Sequence, residues 1–281
     1  MKKFLTRNKL YMFSLVLVII FVIVGLSTTI KNNQYLEEYD AITILFYSLM
    51  NGKGLESISL LAPVIVFIVS TYQFHKNLKT GNIKYRLTRE NYKTFMKKSV
   101  FKSYAYSTIL VVSMILLFIC CCFVNSDFDF SNAIPQPTGD YIMGEPVYIG
   151  TAAMINLDFY NTPVFLMFTF FIVIFLHSIF YANIGLIMCK KNKSFVISVV
   201  SSFLIFMGIC IVFGMIEKYI VISYSISSLK GVFNLLGIWV YSDINNLINL
   251  LIVSVLLVFV SSICLFFTYK NKESVIIYAE K

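Results

Sequence analysis

The sequence predicts an all-α integral membrane protein with six transmembrane helices and both ends of the chain in the cytoplasm. Three observations predict it. Of 281 residues, 58% are hydrophobic and only 13% charged, whereas soluble domains carry about 25% charged residues. Six stretches without Asp, Glu, Lys or Arg are each long enough to cross: 10–28, 57–74, 103–124, 162–189, 195–216 and 244–268. Their apolar runs are continuous, so they suit helices, which satisfy their own backbone groups, rather than alternating barrel strands. Finally, 19 of the 23 Lys and Arg residues fall on one side of such a six-span chain, and the positive-inside rule makes that side the cytoplasm. Eleven of the 14 acidic residues fall on the other side.

In chain order, Lys2, Lys3, Arg7 and Lys9 precede the first span. Its apolar run exceeds the 7–15 residues of a signal-peptide core and no A-x-A site follows, so it reads as a retained signal anchor. In the next outer loop, 41–50 is too short to span and is expected to lie on the membrane or the bundle. The inner loop 75–102 carries nine basic residues. Within it Thr88 is a plausible N-cap with Glu90 in the first turn. Tyr92, Phe95, Met96 and Val100 recur at helical spacing with Lys93, Lys97 and Lys98 over the remaining surface. This predicts a cytoplasmic amphipathic helix joined to the third span, with Gly81 permitting a turn before it. Such a helix serves either as topology-setting charge in contact with lipid or as a docking element for a cytoplasmic partner.

The outer loop 125–161 holds Pro135, Pro137, Gly139 and Gly144 and no Lys or Arg, and reads as a turn-rich extracellular segment. Pro163 suits a first helical turn. Before the last span, 227–243 is apolar but short and contains two glycines, which predicts a re-entrant or interfacial helix with Trp239 and Tyr241 in the interfacial belt.

The chemistry is sparse. The spans hold no carboxylate or basic residue, which argues against a proton relay and against a membrane carboxylate enzyme. His177 is the one ionisable group deep in a span. It is either a neutral histidine bonded to a neighbouring helix or a contact on a transport path, with Asn183 of the same span and Asn245, Asn246 and Asn249 as polar company. The six cysteines read as small packing residues, with lipidation of Cys189 as an alternative, and two histidines make no zinc pattern. No metal site, G-x-S-x-G or phosphate-binding loop is present in the sequence. The basic excess is a topology signal that attracts anionic lipids, not a nucleic-acid footprint.

The loop between the second and third spans contains Gly81, Tyr85, Arg86, Arg89, Tyr92, Lys93 and Lys98 in the order glycine, arginine-containing segment, lysine entering a span. With six spans and internal termini, this resembles the permease subunits of ABC transporters of the ABC-2, or type V exporter-like, superfamily, small Gram-positive permeases especially. His75, Lys76 and Lys79 stand where that family often has an acidic residue, and the basic segment before the first span is shorter than usual. The resemblance implies a bacterial multi-pass plasma-membrane protein that is not itself an enzyme. ATP and Mg would belong to a separate ATPase dimer, and a second permease copy or a paralogous permease would complete the pore. Residues 89–100 would dock on the ATPase through Tyr92, Phe95 and Met96, with Gly81, Tyr85, Arg86, Arg89, Glu90 and Lys93 contributing. Cargo would be hydrophobic or amphipathic: a peptide, an antibiotic or a lipid-like molecule. A non-transporting membrane protein, such as a scaffold, a sensor or a toxin-immunity protein, shares the same pattern.

Overall fold

The computed structural model describes residues 62–72, 74–75, 87, 89–124, 136–142, 145–149, 163–192, 194–216 and 244–270, and three isolated helical positions, Val16, Ile19 and Ile23. Its elements are α1 (Ala62–Tyr72, with Phe74 and His75 also helical), α2 (Tyr92–Val124), β1 (Gln136–Ile142), β2 (Glu145–Ile149), α3 (Pro163–Lys191), α4 (Phe195–Ile216) and α5 (Ile244–Tyr269). Within these, Phe171–Lys191, Phe195–Ile216 and Leu251–Tyr269 are long and apolar enough to cross a membrane, and Ala62–Tyr72 is a shorter apolar helix. The bounds of α3, α4 and α5 fall within two residues of the expected last three spans. The first span and the re-entrant segment 227–243 lie outside the described residues, apart from the three isolated positions of the former.

Helix α3 is the centre. It packs against α2, α4 and α5, and from Phe180 to Leu186 every residue is buried. The α1–α3 crossing is close because Gly185 has no side chain. A Cβ placed there would sit 2.7 Å from Ser70 Oγ and 3.0 Å from Thr71 Cγ2. Small residues bring membrane helices together in this way, since lipid supplies no hydrophobic drive between them. Phe67 of α1, Tyr181 of α3 and Phe206 of α4 close the core beside it, with ring centroids 5.1–6.3 Å apart in edge-on geometry.

Helix α4 is patterned inside out relative to a soluble helix. Ser198, Ser202 and Phe206, at i, i+4 and i+8, face the bundle, while Val196, Val200, Leu204 and Ile211 face outward. The inward serines donate to the carbonyls one turn back, Ser198 to Ser194 and Ser202 to Ser198, so no hydroxyl is stranded. Exposed aliphatic faces with buried hydroxyls are what a lipid solvent selects.

From Tyr92 the amphipathic segment of loop 75–102 runs unbroken into the stretch expected to be the third span, as the 33-residue α2. Its first backbone bond, Phe95 N–H to Asn91 C=O at 3.0 Å, puts the cap of this helix at Asn91, with Glu90 before it rather than in its first turn; Thr88 lies outside the described residues. Glu90 instead pairs with Lys98 at 3.1 Å. The loop 125–161, expected to be turn-rich, contains the antiparallel hairpin β1–β2, with Gln136 opposite Ile149 and Ile142 opposite Glu145, which the sequence reading did not foresee. Pro137 and Pro146 hid it: proline lacks the ladder donor, and the pairing is irregular between Pro137 and Tyr141.

Candidate functional site

Two polar clusters tie the helices together. The first is centred on Asn183. Its Oδ1 accepts from the Tyr104 hydroxyl of α2, and its Nδ2 donates to Ser261 Oγ (2.9 Å) and Ser262 Oγ (3.1 Å) of α5. One fully buried amide thus joins three helices. Farther from the lysine-rich end, Thr108 and Ser178 hydroxyls meet at 3.1 Å between α2 and α3.

His177 is buried next to that pair. Its Nδ1 lies 3.0 Å from the Val173 carbonyl, which can only accept, so Nδ1 carries the proton. Ser254 Oγ of α5 stands 3.2 Å from the same nitrogen. Edge contacts with Phe180 and Tyr181 fix the ring. Nε2 is left as a bare acceptor; it and Ser107 Oγ are the buried side-chain polar atoms without a partner among the described residues. Chemically this centre offers hydroxyls, one amide and one imidazole. Among the described residues no acid stands beside it, and no three His, Cys, Asp or Glu side chains gather as metal ligands.

The second cluster closes the lysine-rich end. The Tyr92 hydroxyl donates to the Tyr269 carbonyl (2.8 Å), and the Tyr269 hydroxyl donates to the Leu186 carbonyl (2.7 Å). Lys190 donates to the Thr268 carbonyl and lies 5.4 Å from the Tyr269 ring centroid. The Thr268 and Tyr269 carbonyls belong to the last turn of α5, which helices leave unpaired, whereas the Leu186 carbonyl, a turn inside α3, takes the Tyr269 hydroxyl as a second donor. Burial holds the Tyr92 phenol above the ordinary tyrosine value, so it remains a donor well beyond neutral pH.

Phe95 and Met96 are buried here with Phe74, Leu186, Cys189, Leu265 and Tyr269. The expectation that they face a partner is therefore corrected: the apolar stripe of this segment is filled by the chain's own bundle. What it presents outward is Arg89, Lys93, Thr94, Lys97 and Lys98. Tyr92 is half-buried, and Glu90 is engaged with Lys98. Gly81, Tyr85 and Arg86 lie outside the described residues. Cys189 is fully buried, which leaves no room for a lipid chain on its sulfur.

Comparison of the chain with protein-family models, with curated proteins and with solved structures finds no match.

The structure thus brings His177 and Asn183 into one polar seam of the same helix and sets Tyr92, Phe95 and Met96 against the ends of α3 and α5. Sequence reading missed Tyr104, Ser254, Ser261 and Tyr269. A signal for the serines exists: Ser254 and Ser261 are seven apart, two turns on one face of a helix. Nothing in the sequence distinguishes Tyr104 from the other 17 tyrosines.

Proposed function

We propose that this chain is the membrane-spanning permease subunit of an ATP-driven exporter of the ABC-2 type, crossing the bacterial plasma membrane six times with both termini inside. It works with a separate ATPase dimer and a second permease copy or paralogue, and moves a hydrophobic or amphipathic cargo. The observation that carries this reading is the unbroken α2. A basic segment that follows the Gly81–Arg89 pattern and passes without a hinge into a membrane-length helix is the form a force-transmitting connection requires. The absence of charge in the predicted spans and the uncharged polar seam at His177 and Asn183 suit a cargo without fixed charge. In this reading Arg89 and Lys93 meet the ATPase, and Phe95 and Met96 join the segment to the bundle.

The test is purification of the tagged chain from its own cells in mild detergent. The expected result is a Mg-dependent ATP hydrolase subunit in the eluate, released by the double variant Arg89→Ala, Lys93→Ala while the permease still inserts. A chain that elutes with no ATP hydrolase would leave a scaffold, a sensor or an immunity protein as the better reading.

A further inference from the structure

The hydrogen bonds between helices fix which residues lie at the same depth. Tyr104 and Ser261 are each bonded to Asn183, so the three share a level. Seven residues on, about 10 Å at the α-helical rise, Lys190 of α3 reaches Thr268 of α5. Counting back seven along the antiparallel α2 puts Lys97 at that depth too. Lys191 and Lys270 stand within about 3 Å of it along their helices, and Lys102 about 7.5 Å deeper, nearly a turn and a half, within reach of a snorkelling side chain. All four, Lys97, Lys102, Lys191 and Lys270, are exposed.

On the bundle side of this level the exposed surface turns apolar. Phe101 is 69% exposed and Phe266 64%. Along the same outward sector of α2, Ile109 and Leu116 continue the apolar surface. Apart from Lys102, whose side chain reaches back past Phe101, the change from lysine to exposed aromatic occurs within about 3 Å of one depth on α2 and α5, which marks a plane rather than a patch. A soluble acidic partner would explain the lysines but would leave the phenyl rings in water. A bilayer surface accounts for both.

We propose that Lys97, Lys102, Lys191 and Lys270 form a collar that binds the headgroups of anionic phospholipids, with Phe101 and Phe266 seated in the acyl layer beneath. Lys98 is excluded because Glu90 already neutralises it. The collar does not depend on the transport reading, since lipid binding needs no ATPase.

The test uses the full chain in nanodiscs of equal parts phosphatidylcholine and phosphatidylglycerol, with retained lipid counted by native mass spectrometry. The wild type is expected to retain phosphatidylglycerol over phosphatidylcholine by about five-fold or more, the worth of a single surface lysine near an anionic leaflet. Lys→Gln at all four positions should bring the two lipids to parity, and Lys→Arg at the same positions should keep the preference. Raising salt to about 1 M, where screening acts within about 3 Å, should collapse the wild-type preference without any variant. A preference that survives both the Gln variant and high salt overturns the collar. So does a wild type with no preference, and a bound acidic protein in its place would assign the lysines to that partner.

Discussion

Helix α3 and helices α4 and α5 have similar apolar compositions and opposite surroundings. Over 18-residue stretches, two-thirds (67%) is buried within Phe171–Lys191, against 22% within Phe195–Ile216 and 17% within Leu251–Tyr269. Mean hydropathy, somewhat lower for α3, does not by itself explain the difference. Small and polar residues do. Helix α3 carries His177, Ser178, Asn183 and Gly185, each facing protein, while α4 and α5 confine their buried hydroxyls to single stripes and turn Leu204, Phe259 and their neighbours outward. In a lipid solvent, burial follows the residues that hydrogen-bond or permit close approach, rather than the most apolar ones.

That contrast breaks if glycines on the two kinds of helix respond alike. Gly185→Val should be the most damaging single change, lowering stability by about 3 kcal/mol through overpacking against Ser70 and Thr71. Gly208→Val on α4, where an added Cβ meets nothing within 4 Å, should leave stability unchanged or slightly raised. Thermal unfolding in detergent, followed by tryptophan or dye fluorescence, compares them directly; equal losses would remove α3 as the centre of packing.

Asn183→Leu comes next, at about 2 kcal/mol. It removes the acceptor of the Tyr104 hydroxyl, which keeps Ser262 beside it, and withdraws the amide donor from Ser261 and Ser262. The same assay with Tyr104→Phe should recover part of that loss in the double variant, because the hydroxyl that lost its acceptor is then absent. Additive losses would mean that the two side chains do not interact.

Tyr92→Phe should cost about 1 kcal/mol, one hydrogen bond to the Tyr269 carbonyl, and should loosen the start of α2. Faster amide exchange confined to residues 92–96 would confirm it; exchange rising along the whole of α2 would contradict it. His177→Leu is expected to change stability by less than about 1 kcal/mol, since one of its ring nitrogens has no partner to lose. A transport deficit at normal membrane abundance would then place His177 on the cargo path. Smallest of all, Glu90→Gln should shift the unfolding midpoint negligibly, because the Lys98 pair is exposed and worth at most about 0.5 kcal/mol.

Span positions are legible because a charge-free run of about 20 residues suits a membrane crossing and little else, and α3, α4 and α5 begin and end where those runs do. The importance of Asn183 is legible as a polar amide in an apolar helix; its partners are not, because one sequence gives no pairing between helices. Phe95 and Met96 mislead for a definite reason. An apolar stripe at helical spacing looks the same whether it meets a partner or the chain's own α3 and α5, and only the fold supplies the answer. The hairpin escapes because its prolines suppress the usual strand signal.

A 33-residue helix is about 50 Å of stiff rod, some 20 Å more than the hydrocarbon layer needs. Tyr104, where α2 is bonded to Asn183, lies about 18 Å from one end and about 30 Å from the other. A rod held there is a lever with unequal arms. A sideways displacement of about 1 Å at Tyr92 would sweep Val124 through about 1.7 Å in the opposite direction, the ratio of those arms. Moving the fulcrum by one turn would change that gearing without altering a single contact at either end.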